Sequence, residues 1–315
     1  MSQRDTTHSV DDDLDALELL ELRLQALLPE EYEDTYQSLE ATPMRSAPLA
    51  YDEAGRVAWD VIWGGFCDLA LAGGPPHKGS LLRPGSQVEI EENRDQYHRV
   101  TAEICRGITM ATNLAAREAA TAGWVQVDCP DELTASWLLR AIVVENVAVR
   151  HHGTSILLPA APGFRLEKEI KNVVTVVAKT VHYWTGHMTG LKRWTIARVL
   201  ADIDSESPLV VPAQIESDSD RLRLQEAAGR LVASAQAASG LQAICGGDDP
   251  WVGIACPSQR LALWMMRVLV VSNVLSRREG TTLYVPINPE RDESGAIVSR
   301  AVARARRFAG IRGVS

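Results

Sequence analysis

Residues 124–159 read WVQVDCPDELTASWLLRAIVVENVAVRHHGTSILLP, and residues 251–286 read WVGIACPSQRLALWMMRVLVVSNVLSRREGTTLYVP. The two stretches align without a gap at an offset of 127, and 15 of the 36 pairs are identical. Unrelated sequences of ordinary composition share about two or three. The likeness reads as one structural unit used twice.

Trp124 to Asp128 alternates around valines, as a strand does. Cys129-Pro130-Asp131-Glu132 reads as a helix start, with proline in the first turn and acids at the positive end of the helix dipole. Leu133, Trp137, Ile142 and Val144 continue as a strongly apolar helix that ends near Glu145-Asn146. Val147–Arg150, His151-His152-Gly153 and Thr154–Leu158 then read as a β-hairpin turning on glycine. A closing helix is expected over about 165–184, with its counterpart over 292–307, and a leading helix precedes each unit near 97–120 and 220–239. The expected fold is α+β: two tandem copies of a βαββα-like unit behind an N-terminal helical extension, with an antiparallel or mixed sheet and helices on one face.

This divides the chain into an acidic extension (1–96), a first unit (97–190), a connector with Pro208 and Pro212 (191–219), and a second unit with a basic tail (220–315). In the extension, Leu17, Leu20, Leu24 and Leu27 fall at helical spacing, a stripe suited to docking on the chain's own body or on a second copy. Trp59, Trp63, Phe66 and Ala70 form another stripe.

The chain has 315 residues, is 46% hydrophobic and 23% charged, and carries a net charge of -9. Residues 1–60 hold 15 acids and 4 basic groups, whereas residues 300–315 hold five arginines and no acid. An acidic chain without a broad basic face is a poor nucleic-acid partner. Leu261–Leu275, the nearest approach to a membrane span, is short and interrupted by Arg267. Five cysteines, an odd number with no CxxC spacing, fit a reducing cytoplasm. No histidine pair has metal-ligand spacing on a helix, and neither a P-loop nor a GxGxxG follows a strand, so neither metal nor cofactor is expected.

Chemistry is sought in what the two copies do not share. Trp137/Trp264, Arg140/Arg267, Asn146/Asn273 and Gly153/Gly280 are kept in both and read as requirements of the unit. Asp128, Glu145 and His152 stand where the second copy has Ala255, Ser272 and Glu279. The closing helix of the first copy carries Lys168, Asn172, Thr175, Lys179 and His182 as one polar stripe opposite Ile170, Val173, Val174, Val177, Val181 and Trp184. A second candidate is the loop Ala72-Gly-Gly-Pro-Pro-His77-Lys78-Gly79, where glycine permits close backbone approach and proline stiffens the segment that holds His77 and Lys78.

These features point to a cofactor-independent enzyme acting on a small anionic metabolite, at a pocket between residues 73–79 and the closing helix of the first unit. His77 and His182 are the acid/base candidates, oriented by Glu145. Lys78, Arg106, Lys171, Asn172 and Lys179 are the substrate-binding candidates. Cys129, beside a helix start, is a weaker redox candidate, because Cys256 repeats it. The alternative is a non-catalytic ligand-binding or assembly protein, a homo-oligomer through the leucine stripe.

Overall fold

The computed structural model describes residues 10–28, 49–61, 81–215, 217–246 and 249–315. The leading helix α3 (Arg94–Thr112) follows α1 (Val10–Leu27) and the short α2 (Gln87–Glu92). Next come β1 (Ala116–Glu118), β2 (Trp124–Asp128), α4 (Glu132–Val143), β3 (Arg150–His152), β4 (Ser155–Pro159) and α5 (Lys171–His182). After α6 (Gly190–Glu206) the same order returns: α7 (Asp218–Ser239), β5 (Ala243–Cys245), β6 (Trp251–Ala255), α8 (Gln259–Val270), β7 (Arg277–Glu279), β8 (Thr282–Pro286) and α9 (Ala296–Ile311).

The strands form two four-stranded antiparallel sheets, ordered β1-β2-β4-β3 and β5-β6-β8-β7. In the first, Trp124 faces Pro159 and Asp128 faces Ser155. In the second, Trp251 faces Pro286 and Ala255 faces Thr282. The strand and hairpin readings therefore stand, and the edge strands β1 and β5 are additions. Each is three residues long, too short to show an alternating pattern.

Several boundaries differ from expectation for local reasons. The leading helix stops at Thr112 because Asn113 takes a left-handed conformation, φ 60°. Helix α4 begins one residue beyond Asp131, whose carboxylate accepts from Thr134 N at 2.7 Å; Ser258 caps α8 in the same way through Leu261 N at 3.1 Å. Pro130 and Pro257 thus precede the caps instead of opening the helices. Helix α9 starts four residues late, since Asp292 receives Ile297 N and Val298 N and holds the preceding turn. The connector contains a helix, α6, capped by Thr189 at Lys192 N. Its buried Ile196, Leu200 and Ile203 have ordinary helical spacing.

The leucine stripe is buried within the chain: Leu20 and Leu27 are fully enclosed, Leu17 and Leu24 nearly so. It packs on α6, α4 and α8, while Leu14, Leu19 and Leu22 of the same helix are exposed. The acidic head and basic tail also meet: Arg307 lies 3.0 Å from Asp13, and Arg312 lies 3.1 Å from Glu21. Exposed pairs of this kind contribute little each; the leucines hold the helix down.

The two halves are tied by asparagines. Asn146 and Asn273 both follow their helices with φ near +60°, a conformation asparagine tolerates better than most residues. Arg140, 3% exposed, donates Nη2 to Asn273 Oδ1 at 2.5 Å. The Asn273 amide nitrogen donates to Asp204 and to the Ser207 carbonyl at 2.7 and 2.8 Å. In the opposite direction Arg278 N donates to Asn146 Oδ1 at 3.4 Å. Each left-handed turn thereby presents its amide to the other half. Asn273→Gly keeps the backbone shape but strips Arg140 of an acceptor, and is expected to cost about 2–3 kcal/mol in urea unfolding. Asn273→Ala adds roughly 1 kcal/mol for the left-handed φ.

Candidate functional site

Helix α5 is flanked by wider π-type turns, Leu166–Ile170 and Tyr183–His187. Such turns re-aim side chains and recur at functional sites. The C-terminal turn is fixed by ring stacking: Trp137 of α4 lies 5.1 Å from Trp184 and 6.0 Å from Tyr183 between centroids. Lys192 of α6 donates to the Tyr183 hydroxyl at 3.1 Å. The two residues that follow His182 are thus held from two elements.

The apolar side of α5 is buried as expected, with Val173, Val174, Val177, Val181 and Trp184 enclosed. Helix α3 approaches it at Gly107, where a Cβ would stand 2.7 Å from Val174 Cγ2. Along the polar stripe, Asn172, Thr175, Lys179 and His182 are half-buried and Lys168 is exposed. The stripe is neither a bare solvated face nor part of the core.

Its centre is an ion pair. Lys179 Nζ donates to Glu145 Oε1 at 2.9 Å, and the two side chains are 15% and 0% exposed. Glu145 sits just beyond α4, so the pair joins the end of one helix to the middle of the next. The sequence had assigned Glu145 to orienting a histidine; here it holds the ammonium three residues before His182. Lys171, one turn N-terminal to Thr175, is 4% exposed. Burial depresses its pKa, against the opposing field of Glu167. His182 is likewise held below the ordinary imidazole value by desolvation and then by His187, whose Nε2 lies 3.3 Å from its own Nε2. One ring must accept from the other, so at least one is neutral.

Arg106, on α3, is engaged with Glu103 through Nε at 3.0 Å and Nη2 at 2.6 Å, and Glu103 also accepts from Trp59 at 2.8 Å. It enters the region as a paired cation. His77 and Lys78 lie outside the described residues, as do Trp63, Phe66 and Ala70 of the second stripe. The described chain resumes at Leu81. Leu82 N donates to Asn146 O at 3.1 Å, and Ala148 N donates to Leu82 O at 2.8 Å, so the segment that follows Lys78 and Gly79 is stitched beside Glu145.

Cys129 and Cys256 carry little nucleophilic character. Burial pushes Cys129 up to about 12, with Asp128 and Asp131 adding to the effect, and Cys256 up to about 11. Each sits in the same turn: Cys129 N donates to Thr154 O and Cys256 N to Thr281 O, both at 3.0 Å. Among the described residues no group of three or more His, Cys, Asp or Glu side chains is placed to hold a metal ion, and no helix is long and apolar enough to cross a membrane.

Sequence reasoning passed over His151. It lines a cavity of about 560 Å³ at the junction, with Glu132, Arg140, Asp204 and Arg291, and no residue of the α5 stripe reaches it. Desolvation lowers the His151 pKa. The signal for it was present, since its counterpart 127 residues on is Arg278. No protein-family model, curated protein or solved structure matches this chain.

Two stability measurements follow. Lys179→Met leaves the buried Glu145 carboxylate without its ammonium and is expected to cost about 3–5 kcal/mol, whereas Lys179→Met combined with Glu145→Leu recovers most of the loss. A double-mutant cycle in urea reads the coupling directly. For pH, the folded chain holds His151 and His182 below the ordinary imidazole value of 6.5. Between 6.5 and the depressed folded values the unfolded chain binds more protons, so stability falls as pH drops through 6.5. The carboxylates Asp128, bonded by Arg117 and Ser155, and Glu169, where bonds from Arg165 outweigh desolvation, are both lowered to about 2. Their contributions are lost only in more acid solution. The urea midpoint is expected to decline from pH 7 to 5, with a shallower decline in His182→Gln.

Proposed function

We propose that this protein binds a small anionic metabolite on the α5 face of its first half and acts on it by acid/base chemistry. In this reading His182 is the proton acceptor and Lys179, held by Glu145, is the donor facing it along the helix. Lys171 and Asn172 bind the anion. The reading keeps His77 and Lys78 as further candidates from the sequence. Lyase, isomerase and group-transfer chemistry all fit this set. The observation that carries the reading is a fully enclosed carboxylate holding an ammonium at 2.9 Å, three residues from a half-buried imidazole, on a helix bounded by two irregular turns.

The contrast between halves supports it. At the positions 127 residues later, Glu145, Lys171, Asn172, Lys179 and His182 are replaced by Ser272, Val298, Ser299, Arg306 and Ala309. We read the two halves as copies of one duplicated unit, the first specialised for the ligand, in a chain that works in the cytoplasm. One observation favours the alternative, a non-catalytic binding protein: Glu145 already neutralises Lys179, which leaves it less attraction for an anion.

A thermal-shift screen of mono- and dicarboxylates tests both. A ligand at 100 times its Kd adds about 2.7 kcal/mol, a shift of a few degrees. The expected result is a hit lost in Lys171→Met and consumed by the parent chain, but not by His182→Asn, when followed by NMR. A hit that binds without conversion selects the binding reading. Hits retained unchanged by Lys171→Met contradict both.

A further inference from the structure

The second half holds a cavity of about 330 Å³ with an unusual charge balance. Arg23 of α1 and Arg300 and Arg304 of α9 line it, against one carboxylate, Glu206 at the end of α6. Arg23 is 4% exposed and grips Glu206 with both terminal nitrogens, one of them at 2.9 Å. Glu206 also acts on Arg304 through space, so one carboxylate serves two guanidiniums. Among the described residues Arg300 and Arg304 have no hydrogen-bond or ion-pair partner; Arg304 lies over the Phe308 ring at 5.8 Å. Burial, then the neighbouring Arg23, depresses the Arg304 pKa. The Ser272 hydroxyl, also on the cavity wall, is buried and has no protein partner.

The fold does not require this arrangement. The residues 127 earlier than Arg300 and Arg304 are Val173 and Val177, both fully buried. Two like charges one helical turn apart destabilise a helix, and a third guanidinium beside them adds to the repulsion. Three cations and one anion leave about two uncompensated positive charges around a small cavity. A phosphoryl group carries about -1.5 to -2 at neutral pH and offers three acceptor oxygens. Guanidinium forks match such oxygens in pairs, and the free hydroxyl of Ser272 supplies another donor. Ile203 and Ile297 provide apolar wall for a short carbon skeleton.

We infer that this cavity is a binding site for a small phosphorylated molecule, separate from the α5 face and built by Arg23, Arg300, Arg304 and Ser272. The experiment is a thermal-shift and calorimetric titration of the full chain with inorganic phosphate and glycerol 3-phosphate. Glycerol, malonate and sodium chloride at matched ionic strength are the comparisons. Saturable binding of the phosphates is expected, weakened at least tenfold in Arg304→Met and in Arg300→Met and unchanged in Arg260→Met, an exposed arginine outside the cavity. Arg304→Met is also expected to raise the thermal midpoint of the ligand-free chain, since it removes repulsion while keeping an apolar stem over Phe308. Should Arg304→Met fail to fold, the more exposed Arg300→Met decides the matter. An equal response to chloride overturns the site, as does phosphate binding that survives both arginine substitutions. Malonate binding as tightly as phosphate, and weakened alike in Arg304→Met, overturns the phosphoryl assignment.

Discussion

Two asparagines held in a left-handed turn fix how this molecule is put together. Asn146 and Asn273 end their helices with a backbone reversal that starts each hairpin, and each side-chain amide then reaches into the opposite half. The apolar helices α4 and α8 provide most of the buried surface, but burial is not directional. The amides are. An arginine taken out of water needs a fixed acceptor, and Asn273 supplies one while passing its own hydrogens to Asp204 and Ser207. This sets the distance and orientation between halves, and with it the cavities along the junction.

Within that frame the two halves differ in their polar groups. The first places a carboxylate, two lysines and a histidine around α5. The second places serine at the carboxylate position and arginines on α9. The corresponding locations in the two halves therefore present different chemistry: a carboxylate–ammonium pair beside an imidazole in one and a cationic cavity in the other. Both depend on long side chains from neighbouring elements, Glu145 after α4 in one case and Arg23 of α1 in the other. The N-terminal helix is thus more than a cover. Its leucines anchor it, and its single buried arginine joins the second cavity.

Much of this was legible in the residues. The offset of 127 exposes the two matching sheets, because strand, cap and hairpin signals recur in register, and Asn146, Asn273, Gly153 and Gly280, common to both stretches, all have positive φ. The α5 stripe could be read because helical spacing puts Lys179 and His182 on one face. The Lys179–Glu145 pair could not, since its partners are 34 residues apart and on different elements. Arg106 looked available because its engagement with Glu103, three residues away, competes with any ligand and leaves no mark on composition. Helix α6 was overlooked in favour of the prolines beyond it, although Ile196, Leu200 and Ile203 spell out its buried side. The arginine cavity was hidden for a similar reason: a basic tail reads as a solvated end until Glu206 and Arg23 are brought beside it.

The account rests on the view that polar groups unique to the first half serve a ligand and not the fold. The most direct test is to transplant the second half's residues onto it in one chain: Glu145→Ser, Lys171→Val, Asn172→Ser, Lys179→Arg and His182→Ala. Circular dichroism melting and a ligand screen on that chain give the answer together. The account predicts a protein that still unfolds in one cooperative transition and has lost every ligand-induced shift assigned to α5. A chain that no longer folds, or one that folds and keeps those shifts, would contradict it.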